Sequence, residues 1–302
     1  MSQPEYIGRF APSPTGPLHL GSLATALGSW LDARMHQGRW LVRIEDIDTE
    51  RCKPEWSEEI LACLKAHGLV WHDEPWVQSR RHAAYQAALS KLAEQGATYP
   101  CACTRKDLEQ ANQHRAPGQH RIYPGTCRHG MPHGKHARTV RFICPNQAVH
   151  WHDHRRGLNT DHLPSTSGDF VLVRGDGHWA YHLAVVVDDL QSGVNHIVRG
   201  EDLADTTARQ VAVWQALGGK FLPRYWHLPV ILAEDGQKLS KQTGAAALEH
   251  KQALGNLNKV WTHFGLPPMQ ARSVEEWLAL AIQRWPQYRA AEASKTRGPG
   301  LV

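Results

Sequence analysis

The sequence predicts an α/β protein whose parallel sheet is interrupted by an irregular insertion. Two observations support this prediction. Short apolar runs typical of strands alternate with segments of helical periodicity, and this βαβ rhythm is the pattern of a parallel sheet. The rhythm stops after residue 100, because residues 101–156 are rich in His, Arg, Gly and Pro, and apolar runs return at Asp169.

Apolar spacing places the elements that precede the insertion. Strands are predicted at residues 6–10 and 40–45. Helices are predicted at residues 22–35, 54–66 and 79–96. The two strands are thus separated by a helix, as a parallel arrangement requires.

The elements after the insertion follow from the same spacing. Four strand-like runs and one helix are predicted, with the runs at residues 169–173, 179–187, 196–198 and 228–232 and the helix at residues 205–217. Three amphipathic helices are then expected, at residues 244–254, 257–264 and 273–285. The polar tail, residues 294–302, is predicted to be disordered.

Composition narrows the class of protein only slightly. The chain of 302 residues carries a formal net charge of +5, which suits a phosphate-rich partner without identifying one. The sequence has neither a secretory leader nor an apolar stretch of membrane-spanning length, so a cytoplasmic protein without a membrane partner is expected. Three of the six cysteines cluster and three are scattered, unlike the disulfide framework of a secreted protein.

The turn between the first strand and the first helix predicts a phosphate site. Residues 11–18 form a Pro- and Gly-containing turn, and His19 then lies near the helix start. Free backbone N–H groups and the helix dipole favour anions at that position. The spacing matches neither a Walker A loop nor a dinucleotide fingerprint. An ordinary Pro-rich loop is the alternative interpretation.

A second segment supports the phosphate interpretation. Lys238 and Lys241 flank Ser240 on a predicted loop that follows the apolar residues 229–232. Two lysines there suit a triphosphate whose charge moves during a reaction. A solvated basic loop is the alternative interpretation of the same lysine pair.

Together these segments resemble the paired motifs of class I aminoacyl-tRNA synthetases, HIGH at residues 19–22 (HLGS) and KMSKS at residues 238–242 (KLSKQ). Residues 9–16 (RFAPSPTG), 43–48 (RIEDID) and 198–202 (VRGED) further resemble the glutamyl and glutaminyl branch. The match runs from about residue 7 to residue 241. It departs from the motifs at Ser22 and at Gln242, where glutamyl enzymes commonly vary.

The resemblance implies a class I synthetase nucleotide-binding, Rossmann-like parallel sheet. A zinc-containing, acceptor-binding insertion splits this sheet, and a small C-terminal helical stem-contact domain follows it. The expected domains are the first half of the nucleotide-binding domain, the insertion, the second half with the KMSKS-like loop, and the helical domain with its tail; their limits are residues 1–100, 101–190, 191–243 and 244–302.

The ATP-binding residues expected in this arrangement are His19, Gly21 and Lys241. His19, Lys238 and Lys241 are the candidate catalytic residues. Activating glutamate requires in-line attack by its α-carboxylate on the α-phosphorus of ATP, a step that positioning and charge stabilisation can carry. His19 can hydrogen-bond phosphate oxygens, and the lysines can hold the departing pyrophosphate. Magnesium is expected to accompany ATP.

Two residues have the chemistry to recognise glutamate. The Arg9 fork can bind a carboxylate, and Glu45 can accept hydrogen bonds from an α-ammonium group. The alternative is structural pairing of Arg9 or Arg43 with Glu45 or Asp46 across neighbouring strands. The resemblance adds four further contacts, Ala11, Ser13, Tyr181 and Arg199. Two arginines favour glutamate over glutamine.

Three clustered cysteines predict one structural zinc ion, because Cys101, Cys103 and Cys127 lie in a segment of little periodicity. Three thiols without a metal are the alternative. Spacing leaves the fourth ligand open and favours a histidine, among His114, His120, His129, His133 and His136. The resemblance places a tyrosine there instead, which is Tyr123.

Only the resemblance indicates which nucleotide would accept the glutamyl group. A complete glutamyl enzyme carries an anticodon-binding domain, for which a chain of 302 residues is too short. The chain most closely resembles the glutamyl-Q tRNA(Asp) synthetases, which transfer glutamate to queuosine at the wobble position of tRNA(Asp). A compact synthetase charging the 3′ end of tRNA(Glu) and a non-catalytic tRNA-binding paralogue are the alternatives. A monomer is expected.

Overall fold

The computed structural model describes residues 5–116, 119, 121–232 and 246–294. Its strands are β1 (Ile7–Phe10), β2 (Arg39–Ile44), β3 (Trp76–Val77), β4 (Thr98–Cys101), β5 (Thr139–Phe142), β6 (Val149–Asp153), β7 (Gly157–Asp161), β8 (Phe170–Val173), β9 (His196–Gly200) and β10 (Arg224–Leu228). Its α-helices are α1 (Leu20–Met35), α2 (Pro54–Ala66), α3 (His82–Glu94), α4 (Arg105–Ala111), α5 (Leu163–Thr166), α6 (Tyr181–Gln191), α7 (Thr207–Ala216), α8 (Ala253–His263) and α9 (Val274–Ser294).

The predicted parallel sheet is present in two parts. One has the order β1-β2-β3 and the other the order β7-β6-β10-β9, with β7 antiparallel to its neighbour and the other pairs parallel. The backbone N–H of Asn195, just before β9, donates to the carbonyl of Ile7 at 3.0 Å. This bond places the start of β1 beside the start of β9. The two parts thus meet where the strands carrying Arg9 and Arg199 begin.

Helices α1, α8 and α9 cover one face of this region. Their contact is aromatic: Trp40 of β2, Trp261 of α8, and Trp277 and Trp285 of α9 are all fully buried and belong to one core. Burying side chains of this size is a dominant source of stability. The helices after residue 246 are therefore anchored to the sheet that carries α1. Their status as a separate domain stays a prediction.

The predicted strand at residues 179–187 is wrong, because the chain there forms helix α6. Seven consecutive residues of α6, from Leu183 to Asp189, are buried. A helix enclosed on nearly all sides lacks the polar face that reveals helical periodicity, and Val185, Val186 and Val187 imitate a buried strand. The last predicted strand also shifts, since β10 ends at Leu228, directly before Pro229.

The segment after residue 100 is more regular than predicted. Strands β4, β5 and β8 form an antiparallel sheet, and β6 joins the larger parallel sheet. Along β6, Val149, Trp151 and Asp153 are buried while His150 and His152 are exposed. This alternation is the period of a strand, but the histidines and the short length of the run concealed it. The predicted tail from residue 295 onward lies outside the described residues.

In the described part of the chain, the search for a helix that is both long and apolar enough to span a bilayer finds none.

Candidate active site

A cleft of about 380 Å³ opens where α1 begins and where β1 and β9 end. Loops beyond the carboxyl ends of parallel strands are the usual place for a ligand in such folds. The predicted residues Arg9, Ala11, Ser13, His19, Gly21, Tyr181 and Arg199 all lie in its lining. The structure thus brings together seven predicted residues from three distant parts of the sequence.

His19 is the N-cap of α1. Its ring Nδ1 accepts the backbone N–H groups of Gly21 at 3.1 Å and Ser22 at 3.4 Å, and the Ser22 hydroxyl accepts the backbone N–H of His19 at 2.8 Å. This is a capping box in which histidine replaces the usual serine or threonine. Ser22 therefore has a structural role. Because Nδ1 is committed to the helix backbone, a phosphate contact of the ring would use Nε2.

Arg9 is held in a buried ionic cluster behind the cleft. Its Nε and Nη2 contact the Asp189 carboxylate at 3.2 and 3.4 Å, and Arg43 Nη1 contacts the same carboxylate at 2.6 Å. The charges of Arg43 and Arg9 lower the pKa of Asp189, although burial alone would raise it. The described contacts of Arg9 with Asp189 use Nε and Nη2 and not Nη1; a contact of Arg9 with a ligand carboxylate stays a prediction.

Glu45 is part of the same cluster and not of the cleft lining that the structure describes. Its Oε1 accepts from Arg43 Nη2 at 3.0 Å and from Nε at 3.3 Å. Burial raises the pKa of Glu45, and the charges of Arg43 and Arg9 oppose this rise. The pairing of Arg43 with Glu45, which the sequence left as an alternative, is therefore present. A contact of Glu45 with an α-ammonium group stays a prediction.

Arg199 lies on the other side of the cleft and is only 3% exposed. Its Nη1 contacts the hydroxyl of Tyr181 at 3.5 Å. Tyr181 is the first residue of α6, so the helix that the sequence missed places the tyrosine over the cleft. Sequence reasoning also missed Asp189, although two aspartates inside the apolar run of α6 were an available signal.

Lys238 and Lys241 lie outside the described residues. The described chain that leads toward them, Pro229, Val230 and Ile231, lines the cleft. Their predicted roles stay predictions.

The three predicted cysteines form a compact cluster away from the cleft. The sulfur atoms of Cys101, Cys103 and Cys127 all lie within 4.8 Å of one another. The Tyr123 hydroxyl lies 3.3 Å from the sulfur of Cys101 and 3.5 Å from that of Cys103. No histidine of the described residues joins this group. Of the candidate fourth ligands, the structure therefore brings Tyr123 to the thiols.

The dimensions of the cluster fit a tetrahedral metal ion. With Zn–S near 2.3 Å and Zn–O near 2.0 Å, tetrahedral geometry separates two sulfurs by about 3.8 Å and a sulfur from an oxygen by about 3.5 Å. The sulfurs of Cys103 and Cys127 are 3.6 Å apart. Hydrogen bonds from Tyr123 and Arg141 lower the pKa of Cys101 to about 7 against the opposing effect of burial. The cluster could therefore hold a metal ion.

A parallel sheet interrupted by an inserted segment, with Arg9, Arg199 and the first turn of α1 lining one cleft, is the arrangement that the resemblance to class I aminoacyl-tRNA synthetases predicts. A family model described as "tRNA synthetases class I (E and Q), catalytic domain" matches residues 7–264. The chain belongs to this family and is a ligase of the aminoacyl-tRNA synthetase type.

Two of the most similar relatives share one name within this family. The chain is 50% identical over 288 residues to the "Glutamyl-Q tRNA(Asp) synthetase" of Leptothrix cholodnii, a match that covers 92% of this chain and 96% of that protein. It is 47% identical over 295 residues to the protein of the same name from Janthinobacterium sp. (strain Marseille), covering 95% of this chain and 99% of the relative.

A solved structure gives the same fold at greater distance. A glutamate tRNA ligase from Elizabethkingia meningosepticum, in complex with its amino acid, matches with a TM-score of 0.68 and 30% identity. The match covers 80% of this chain and 52% of the ligase. The chain thus spans about half the length of the solved ligase, but nearly the whole length of the two relatives named glutamyl-Q tRNA(Asp) synthetase.

Proposed function

We propose that this chain activates glutamate with ATP and transfers the glutamyl group to queuosine at the wobble position of tRNA(Asp). The observation that carries the proposal is the near 50% identity to relatives of that name over almost their whole length. The cleft supports it at the level of residues, because two buried arginines and the first turn of α1 surround one cavity.

The first step forms glutamyl-adenylate. An oxygen of the α-carboxylate attacks the α-phosphorus of ATP, and pyrophosphate leaves with the electron pair of the broken P–O bond. ATP enters as its magnesium complex. His19 Nε2 hydrogen-bonds a phosphate oxygen while Nδ1 stays bound to the N–H groups of Gly21 and Ser22, and Lys238 and Lys241 hold the departing charge. Fixed donors of this kind stabilise charge as it develops.

The second step forms an ester. A hydroxyl of the queuosine ring attacks the carbonyl carbon of the adenylate, AMP leaves, and the hydroxyl proton is released to AMP or solvent. Anticodon loops offer unstacked bases that can enter a pocket built for an RNA end. The same cleft can therefore serve an internal nucleotide.

Glutamate is held at both ends in this proposal. Arg9 and Arg199 bind its carboxylates, Tyr181 closes the pocket, and Ala11 and Ser13 contribute backbone and hydroxyl contacts. Glu45 accepts from the α-ammonium group through Oε2, since the described contacts of Glu45 with Arg43 use Oε1. The charged contacts disfavour glutamine.

One zinc ion held by Cys101, Cys103, Tyr123 and Cys127 is part of the proposal. Its role is structural: it closes the loop between residues 101 and 127, whose side chains build only a small core. We also propose a monomer that acts in the cytoplasm, where tRNA and ATP are found, and the four-part domain division given above.

The decisive experiment compares tRNA(Asp) with and without queuosine. Labelled glutamate is transferred in the presence of ATP, the charged tRNA is digested to nucleosides, and glutamyl-queuosine is identified by mass spectrometry. We expect the modified nucleoside only from the tRNA that contains queuosine. ATP–pyrophosphate exchange with glutamate and no tRNA should occur, whereas glutamine should support little exchange.

The outcomes separate the proposal from its competitors. Label on the terminal adenosine, or equal charging of tRNA that lacks queuosine, would assign the chain to a compact glutamyl-tRNA synthetase. Complete absence of glutamate-dependent exchange would indicate a binding protein without catalytic activity.

A further inference from the structure

The charge of Arg199 is not compensated by a neighbouring carboxylate in the part of the chain that the structure describes. Among the described residues, no Asp or Glu oxygen lies within 4.0 Å of its guanidinium, although Arg9 and Arg43 both have such partners. The contacts of Arg199 are all to neutral acceptors: Tyr181, Leu203, Thr207, Gln210 and His227. A buried cation without a counterion favours an anionic ligand in the cleft.

The five contacts of Arg199 fall into two groups. The three shorter ones, to Gln210 at 2.7 Å, Thr207 at 2.8 Å and His227 at 3.1 Å, involve residues outside the cleft lining. The two longest, to the Tyr181 hydroxyl at 3.5 Å and the Leu203 carbonyl at 3.4 Å, involve residues of the lining. The guanidinium is therefore tethered from behind, and a ligand would replace its weakest contacts.

His227 connects this tether to a buried carboxylate. Its side chain is 0% exposed, and its Nδ1 lies 2.8 Å from Oδ2 of Asp153, which is also fully buried. Arginine Nε is only a donor, so Nε2 of His227 accepts from Arg199. The remaining ring proton is then on Nδ1, which donates to Asp153. The two hydrogen bonds therefore assign His227 as the neutral tautomer with its proton on Nδ1.

Asp153 is itself anchored by backbone. Its Oδ1 accepts the N–H groups of Arg155 at 2.9 Å and Arg156 at 2.8 Å, and its Oδ2 accepts the N–H of His227 at 2.9 Å. These bonds and the His227 ring lower the pKa of Asp153, although burial opposes the change. Burial in turn lowers the pKa of His227, which keeps the ring neutral.

We propose that Asp153 and His227 are positioning residues that orient Arg199 toward the side-chain carboxylate of the amino acid without neutralising its charge. A carboxylate in direct contact would fix the guanidinium equally well but would compensate it, as Asp189 does for Arg9. A neutral imidazole placed between the two charges transmits orientation and leaves the positive charge for the ligand. The pair thereby favours glutamate over glutamine. This inference rests on the proposed glutamate site.

Binding of glutamate and glutamine to three variants tests the proposal. His227→Leu removes both ring contacts. His227→Gln retains an oxygen that can accept from Arg199. His67→Gln is the matched control, because His67 is also 0% exposed and hydrogen-bonded but lies beneath α8, against Asn256. Calorimetric titration gives dissociation constants without relying on catalysis, and melting temperatures report stability separately.

We expect His227→Leu to weaken glutamate binding by about 10- to 100-fold and to reduce the preference over glutamine by at least about tenfold. In pyrophosphate exchange the KM for glutamate should rise while the KM for ATP stays constant. His227→Gln should restore most of the affinity. His67→Gln should leave the glutamate constant within about twofold, even where it lowers the melting temperature.

Two failures are distinguishable. If the wild-type chain binds glutamate but His227→Leu binds it equally well, or loses stability without losing preference over glutamine, the positioning role is overturned and the proposed function stands. If the wild-type chain binds no glutamate, the proposed function fails and the inference fails with it.

Discussion

The cleft and the cysteine cluster are both built from polar side chains, but they are assembled over very different lengths of chain. Arg9 meets Asp189 across 180 residues, and Arg43 meets the same aspartate across 146. Cys103 meets Cys127 across 24 residues. The cleft therefore forms only when the whole parallel sheet is assembled, whereas the cluster is contained in one segment.

The two regions also differ in how their charges are balanced. Behind the cleft, the carboxylates of Asp189 and Glu45 offset the charges of Arg9 and Arg43 within the protein. The cluster concentrates thiols and a phenol around one point, and the described cation in contact with it is Arg141, whose Nε lies 3.2 Å from the sulfur of Cys101. The ionic cluster behind the cleft is thus balanced by carboxylates of the protein, whereas the charge balance of the cysteine cluster would change with a bound cation.

Removing Asp189 should produce the largest effect. Asp189→Ala leaves Arg9 and Arg43 buried without their shared carboxylate, and breaking a buried pair in this way costs about 3–5 kcal/mol. The free energy of unfolding, measured by urea denaturation, should fall by that amount. The control is Asp176→Ala, which removes a carboxylate that is 41% exposed and should cost less than about 1 kcal/mol. Equal stabilities of the two variants would contradict the charge balance of the ionic cluster behind the cleft.

Lys241→Ala should change the rate of catalysis and not the stability of the fold. Loss of one contact to charge developing in the transition state should lower kcat for pyrophosphate exchange roughly 100- to 1,000-fold, without a change in unfolding free energy. The exposed Lys220 provides the control, since Lys220→Ala should leave kcat unchanged. Unfolding of the Lys241 variant would instead give the lysine a structural role.

Cys127→Ser should separate the two regions. Elemental analysis of protein purified without chelator should find roughly one zinc per wild-type chain and little in the variant, because a structural site needs all its ligands. Amide exchange should quicken in the insertion, while glutamate binding in the cleft stays within about threefold. Cys52→Ser, outside the cluster, should keep its metal.

Two results would change this interpretation. Wild-type protein without metal would refute the zinc site. Normal zinc affinity in Tyr123→Phe would move the fourth ligand to one of the neighbouring histidines.

An effect of pH on stability is expected at His182, where the cleft adjoins the antiparallel sheet β4-β5-β8. His182 packs its ring against Phe170 of β8 at 5.4 Å and against Tyr181 of the cleft at 5.8 Å, measured between ring centroids. Burial lowers its pKa from 6.5 to about 3. A depressed histidine pKa contributes stability that is complete above pH 6.5 and is lost as the pH falls from 6.5 toward 3.

His182→Gln should therefore flatten the pH dependence of unfolding in that window, by less than about 1.4 kcal/mol per pH unit. Denaturation curves at several pH values measure it, with His150→Gln as the exposed control. Parallel curves for wild type and His182→Gln would show that this ring does not resist protonation.

Local features of the fold were predictable because neighbouring residues determine them. The turn before His19, helix α2 at Pro54–Ala66 and the three cysteines followed from composition and spacing alone. Helix α6 did not, because its burial comes from elements that contact it from several sides. The missing polar face, which is a consequence of packing, concealed its helical period.

The sequence by itself therefore determined which residues have useful chemistry and which turns and helices present them. Only the tertiary structure decided two partners, Asp189 for Arg9 and Asp153 through His227 for Arg199. Tyr123, which the resemblance had already predicted, lies beside the thiols. The physical reason is distance along the chain. Periodicity extends over a few turns or strand residues, whereas these pairings depend on strand order and helix placement, which burial of the whole core establishes.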